Sequence, residues 1–252
     1  MLDRITPLIL TRDEEANIGR TLTQLAWARE VVVVDSLSTD DTVSIARQFA
    51  NVRLLSRPFD SHAEQWAFGT QQAATPWVLT LDADYFVPDA FVRELASLEP
   101  PPDVAGYEAG FLYAIEGRPL RSALYPPRAV LLRRGAFEFW QDGHTQRVRV
   151  HGRVERLRVP LIHDDRKDLR RFIDRQKKYM REEAAKLRAT PWSALPASGR
   201  IRKLRVFSPF GTLLYTLLGK RAILDGRAGL RYAAERFLAE AVLSIELFRS
   251  RH

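Results

Sequence analysis

The sequence predicts an α/β protein built on a mostly parallel central sheet with helices on both faces, followed by amphipathic helices at the C-terminus. Three observations carry this. Short apolar runs alternate with helix-period segments through the first ninety residues. The runs are apolar on both faces, as in Val31–Val34, which suits a sheet covered on each side. Two of them end in an aspartate, Asp35 and Asp82, at the strand end where open α/β sheets hold ligands.

In chain order, Ile5–Leu10 reads as a buried strand. Asp13 is expected to cap a helix carrying Ile18, Leu22 and Leu25. Val31–Val34 is a β-branched strand ending in Asp35. Ser38 or Thr39 should cap the next helix, which bears Val43, Ala46 and Phe49 or Ala50. Val52–Leu55 is a third strand, 63–74 a helix, and Trp77–Leu81 a fourth strand ending in Asp82. A helix is expected to start near Pro88–Asp89. Beyond residue 100, Val104–Ile115, Ala129–Arg133, Arg147–Val150 and Arg153–Val159 have strand character, with His151–Gly152 as a turn joining the last two. A long helix follows over about 166–187, with Leu169, Phe172, Ile173, Tyr179, Met180, Ala184 and Leu187 on one stripe. Pro191, Pro196, Ser198 and Gly199 mark a boundary. Apolar helical segments then cover Val206–Leu218 and the stretch from Leu230 to Phe248. The expected division is 1–190, in two halves (1–100 and 101–190), then a helical segment, 191–252.

The 252 residues carry a formal charge of +8 and no cysteine, which excludes disulfides and thiolate-bound metals. The basic excess suits an anionic partner, whether a phosphorylated substrate, an acidic membrane or nucleic acid. No zinc-finger spacing, RNA-binding motif or basic tail supports nucleic acid. Met1–Leu10 lacks the pattern of a signal peptide, and no run reaches the ~20 apolar residues of a membrane span. The expected location is cytoplasmic, with peripheral attachment to the inner face of the cell membrane. Arg200, Arg202, Lys203 and Arg205 precede the apolar segment from Val206 to Leu218, which fits either an interfacial helix or a helix packed on its neighbours.

Asp82-Ala83-Asp84 places two carboxylates one residue apart after an apolar strand. Hard divalent cations favour such oxygens, and Mg2+ commonly completes its shell with phosphates and water. A turn at the same place is the structural alternative. Asp35 is suited either to a turn or to a hydrogen bond with a base or ribose.

The blocks Leu-Thr-Arg-Asp-Glu-Glu-Ala-Asn-Ile (10–18), Val-Val-Val-Asp-Ser-Leu-Ser-Thr-Asp-Asp-Thr (32–42) and Leu-Thr-Leu-Asp-Ala-Asp (79–84) resemble, in order and spacing, the three signatures of glycosyltransferase family 2. Arg57-Pro58-Phe59 with Gln65, Gly117-Arg118, Tyr125-Pro126, Arg133-Arg134-Gly135 and Pro160-Leu161-Ile162-His163 resemble its lipopolysaccharide core branch. So do Leu224-Asp225-Gly226 and Gly229-Leu230-Arg231-Tyr232. The resemblance implies the Rossmann-like GT-A fold and inverting transfer from a nucleoside-diphosphate sugar, expected to be a UDP-sugar, to an envelope or lipid-linked glycan. It implies donor contacts from Thr11, Arg12, Glu14, Asp35, Ser36, Gln65, Asp82 and Ala83. It further implies Mg2+ or Mn2+ on Asp82 and Asp84, with His163 near the cation. The acceptor loop Gln141-Asp142-Gly143-His144-Thr145-Gln146 lacks the Glu usual in this resemblance, so Asp142 is the first candidate for general base, Glu138 the second, and His144 an assistant. Leu37, Trp66, Ala67 and Tyr85 also depart from the usual pattern.

Two rival readings remain at this level. One is a degenerate family member serving as a membrane-bound scaffold. The other is a sugar-phosphate nucleotidylyltransferase, against which stands Thr11-Arg12-Asp13-Glu14-Glu15 where a Gly- and Arg-rich loop belongs.

Overall fold

A computed structural model describes residues 1–121, 125–142, 145–166 and 169–249. Two compact units emerge. The first comprises Met1–Tyr113, Tyr125–Gln141 and Thr145–Arg166; the second comprises Ala114–Leu124, Asp142–His144 and Lys167–His252.

The first unit begins with β1 (Ile5–Thr11), α1 (Ile18–Thr23), β2 (Val31–Asp35), α2 (Thr42–Ala46), β3 (Val52–Ser56), α3 (His62–Gln71) and β4 (Trp77–Asp82). Then come β5 (Tyr85–Phe86), α4 (Asp89–Ser97), β6 (Val104–Ala109) and β7 (Phe111–Ile115), which runs to the second unit's β8 (Arg118–Pro119). It closes with β9 (Arg128–Arg133), β10 (Phe137–Asp142), β11 (Thr145–Val150), β12 (Arg153–Arg156) and β13 (Leu161–His163). The main sheet has the order β12-β6-β9-β4-β1-β2-β3. Every neighbouring pair is parallel except those made by β9, which runs antiparallel to both β4 and β6. This is the mostly parallel sheet expected. Its strands are apolar because both faces are covered: Ile9, Val31, Val33, Leu79 and Leu81 pack in one core, Leu8, Val32, Val34 and Val78 in another.

Several local expectations change. The helix after Asp13 starts at Ile18 with Asn17 at its cap. Asp13 has φ of 53° and accepts hydrogen bonds from Thr39 N and Oγ1, so it ties two loops together. The cap of α2 is Asp41, while Ser38 turns back to Asp35. Val104–Ile115 is two strands, interrupted at Gly110 and assigned to different sheets. Phe137–Asp142 is a strand that periodicity missed, and β11 pairs with it. The chain does bend at His151–Gly152 between β11 and β12, as expected, but β12 pairs with β6 and β11 with β10.

The second unit holds α5 (Leu169–Ala189), α6 (Ala197–Lys203), α7 (Phe207–Leu214) and α8 (Gly226–Arg249). Met180, Ala184 and Leu187 of α5 pack on Leu243 and Leu247 of α8. The long helix, grouped with the first 190 residues in the sequence reading, lies with the C-terminal helices for that reason. Among the described residues no helix is long and apolar enough to cross a membrane.

Candidate functional site at the carboxyl end of the sheet

The parallel strands deliver Thr11, Asp35 and Asp82 to the carboxyl edge of the sheet, and β1–β2 register sets Thr11 beside Asp35. β9 runs the other way, so its first residue, Arg128, reaches that same edge. A cavity of about 410 Å3 opens there, with Asp82, Arg128, Tyr85, Trp66, Phe139 and Gln146 in its wall. Trp66 of α3 stacks on Phe139 of β10, with ring centroids 6.2 Å apart. The Tyr85 and Tyr125 hydroxyls are 2.8 Å apart, and the Arg128 guanidinium lies 4.6 Å from the centre of the Tyr125 ring.

The electrostatics follow from this packing. Burial, reinforced by the charge of Asp82, pushes the Tyr85 phenol well above its usual range. Tyr125 is raised for the same two reasons in the same order. Both stay neutral donors at physiological pH. Burial works against the Arg128 charge, but Tyr125, Tyr85 and Asp82 more than offset it. The cavity therefore presents one carboxylate, Asp82, and two guanidinium groups, Arg128 and Arg147, between aromatic walls. It can take a ligand with an anionic, cation-bridged end and a flat apolar part.

Asp84 is buried beyond the strand end. β13 pairs with β5 and brings His163 Nε2 to 3.2 Å from Asp84 Oδ2. Burial disfavours the imidazolium, yet the Asp84 carboxylate outweighs it and holds the His163 pKa above its ordinary value. Asp82, Asp84 and His163 do not gather as a protein-only cage: among the described residues no cluster of three His, Cys, Asp or Glu side chains could hold a metal. The oxygen donors fit instead a cation that takes most of its shell from a diphosphate and water.

The other expected donor residues are placed differently. Asp35 is buried, with Oδ2 accepting from Ser38 N at 2.9 Å and Oδ1 from Ser38 Oγ at 2.5 Å. Thr11 Oγ1 is buried with no hydrogen-bond partner among the described residues, which makes it the one unsatisfied polar atom beside Asp35. Arg12 is exposed, and Glu14 accepts from Asn17 Nδ2. The Ala83 carbonyl accepts from Thr21 Oγ1 and docks α1. Gln65 is fully buried, and its amide nitrogen donates to Ser36 Oγ and to the Arg57 and Pro58 carbonyls. Gln65 thus clamps the edge of the site. Gln65→Ala is expected to lower stability by about 2–3 kcal/mol in denaturant titration, because it strands buried acceptors.

Of the base candidates, Glu138 is half exposed and forms a cross-strand pair with Arg149 at 3.0 Å. Asp142 belongs to the second unit, where its Oδ1 lies 2.5 Å from Lys186 Nζ. His144 falls outside the described residues. Arg128 and Phe139 were not singled out from sequence, and Tyr125 entered only within the Tyr125-Pro126 resemblance, with no role assigned to it. Arg128 was hidden because the direction of β9 is not encoded in its apolar pattern.

The glycosyl transferase family 2 profile matches residues 8–107. The lipopolysaccharide core biosynthesis glycosyltransferase LpsC of Rhizobium meliloti is 32% identical over 95 residues, 36% of this chain and 35% of that protein. An uncharacterized glycosyltransferase of Rickettsia felis is 36% identical over 84 residues, 33% of this chain and 29% of its own length. The chain thus spans about a third of the curated relatives it matches. The crystal structure of S. aureus TarS 1-349 in complex with UDP-GlcNAc aligns over 98% of this chain and 91% of that one, at 15% identity and a TM-score of 0.49. The segment that carries Asp35, Asp82 and Asp84 is the one that matches glycosyl transferase family 2.

Proposed function

We propose that this protein is an inverting glycosyltransferase that moves a sugar from a nucleoside-diphosphate sugar, with UDP as the nucleotide, to a lipopolysaccharide-core, lipid-linked or other envelope glycan. The observation that carries the reading is the meeting of Asp82 and Arg128 at one cavity, at the strand ends of a family 2 segment. Asp82, with Asp84 behind it, would hold Mg2+ or Mn2+, which when bound neutralises the departing diphosphate. Arg128 binds a phosphate oxygen directly. Trp66 and Phe139 wall the cavity against water. Thr11 and Asp35 sit at the adjoining strand ends, and the buried Thr11 hydroxyl, which has no partner among the described residues, supports a nucleoside contact.

Inversion needs a base opposite the leaving group, within hydrogen-bond reach of the acceptor hydroxyl. Asp142 is the proposed base. Its ion pair with Lys186 has to open or be shared when the acceptor binds, because a carboxylate bound to an ammonium is a weaker proton acceptor.

Calorimetric titration of the full chain with UDP tests the reading. Binding that strengthens on adding Mn2+ or Mg2+, together with slow UDP release from a UDP-sugar, is the expected result. Absence of binding to UDP and to the other nucleoside diphosphates, with and without metal, would leave the scaffold reading in its place.

A further inference from the structure

The second unit has a helix turned inside out. In water a helix on a folded domain buries its apolar stripe and exposes its polar one. From Phe207 through the π-helical turn Tyr215–Gly219, the reverse holds. Phe207 is 73% exposed, Leu218 62%, Leu214 59% and Phe210 57%, and their spacing puts them on one face. The opposite face carries Ser208, Pro209 and Thr216, all buried. The two polar side chains there, Ser208 and Thr216, are both hydrogen-bonded. Ser208 Oγ donates to Glu240 Oε2 at 2.7 Å, Arg202 Nε donates to Glu240 Oε1 at 2.9 Å, and Thr216 Oγ1 donates to the Thr212 carbonyl. A polar interior of this kind fixes the helix in its orientation, so the outward apolar face is a built feature of the unit.

The charge around this face is one-sided. Residues 197–227 contain seven Lys and Arg against a single acid, Asp225. Arg200, Arg221 and Arg227 are exposed. Asp225 itself is taken up by the Arg121 backbone amide. A second copy of the chain would set this positive rim against its own like, which costs affinity. A surface that is apolar in depth and negative at its rim has neither conflict.

We propose that residues 206–218 form a docking face for a membrane with anionic headgroups: Phe207, Phe210, Leu214 and Leu218 enter the boundary of headgroups and acyl chains, and Arg200, Arg221 and Arg227 meet the lipid phosphates. The helix lies in the interface, since no helix among the described residues is apolar and long enough to span. The proposal does not depend on the nucleotide reading, and its test does not use nucleotide.

The test is co-sedimentation of the full chain with vesicles of phosphatidylcholine alone and of phosphatidylcholine mixed with phosphatidylglycerol. Binding is expected only to the mixed vesicles, weakening as salt rises. The double variant Phe207→Glu, Leu214→Glu should lose at least about tenfold in partitioning while keeping its circular dichroism melt, since both positions are exposed. Each of Arg221→Ala and Arg227→Ala should cost about fivefold. Because the chain has no cysteine, Leu214→Cys can carry an environment-sensitive fluorophore without background. Its emission should rise with anionic vesicles, and the same label at the exposed Glu182→Cys on α5 should not respond. Equal sedimentation of wild type and the double variant overturns the proposal. So does a silent Leu214 probe on bound protein, or a dimer in lipid-free buffer that the double variant dissolves; the dimer would make this face a self-association surface.

Discussion

Asp82→Ala is expected to lower Mn2+-dependent affinity for UDP by at least about a hundredfold, or roughly 3 kcal/mol. Asp82 is the carboxylate in the wall of the cavity, whereas Asp84 is turned toward His163. Its removal takes away the oxygen that would bring the cation to the diphosphate. The metal-free measurement should move the other way. An anion beside Arg128 repels phosphate, so UDP without metal should bind Asp82→Ala as well as wild type or slightly better. Arg128→Ala should weaken both, since the guanidinium serves the phosphate with or without a cation. Glu138→Ala, in an exposed cross-strand pair, should change neither. Persistence of the full metal enhancement in Asp82→Ala would remove the cation from this cavity.

The site shows how far sequence can go. Strand–helix alternation brought Asp35 and Asp82 to one edge of a sheet, because strand direction in consecutive βαβ units is set by right-handed crossovers. It could not reveal that the Asp35 carboxylate is consumed by Ser38, since a turn and a binding site use the same residue type at the same place. Nor could it find Arg128. An apolar strand pattern reads the same in either direction, and only the antiparallel insertion of β9 between β4 and β6 carries Arg128 to the active edge. Asp142 and Glu138 were chosen as the carboxylates in and near the loop that the resemblance assigns to the acceptor. The pleat puts Glu138 beside Arg149, and the Lys186 pairing of Asp142 links residues far apart in sequence.

The fold was most legible where periodicity was long and pure. β1, β2 and β4 sit within one residue of their expected bounds, because double-sided burial leaves no polar position to confuse the pattern. Legibility fell in the later strands. Phe137–Asp142 mixes aromatics with acids, as its partly exposed pairing with β11 permits. In the helical segment the sequence located the apolar stripe from Val206 to Leu218 but left its direction open. What sends it outward is the buried Glu240–Arg202–Ser208 network, a set of contacts with no signature in spacing.

Gly229→Ala is expected to destabilise the second unit by about 3 kcal/mol or more. Gly229 lies in the first turns of α8, directly over the 3-10 turn Ala222–Asp225. A Cβ built there would stand 1.8 Å from the Ala222 carbonyl oxygen and 2.8 Å from its carbon. Both are backbone atoms, so no side-chain rotation relieves the overlap. The turn is also held from both ends. Arg221 before it has φ of 58°, Gly226 after it has φ of 61°, and Asp225 accepts from the Arg121 amide. Moving the Ala222 carbonyl would therefore disturb the start of α8 and the strap to Arg121 together. A melt followed by circular dichroism should fall by about 10 °C. Gly211→Ala supplies the control. Gly211 sits in α7 with open space where its Cβ would be, so the usual helix preference applies and the change should stabilise by up to about 1 kcal/mol. Two glycine-to-alanine changes in the same unit, with opposite signs, separate close backbone approach from helix propensity. A Gly229→Ala protein that melts with wild type would mean that the turn and α8 do not meet as closely as 1.8 Å implies.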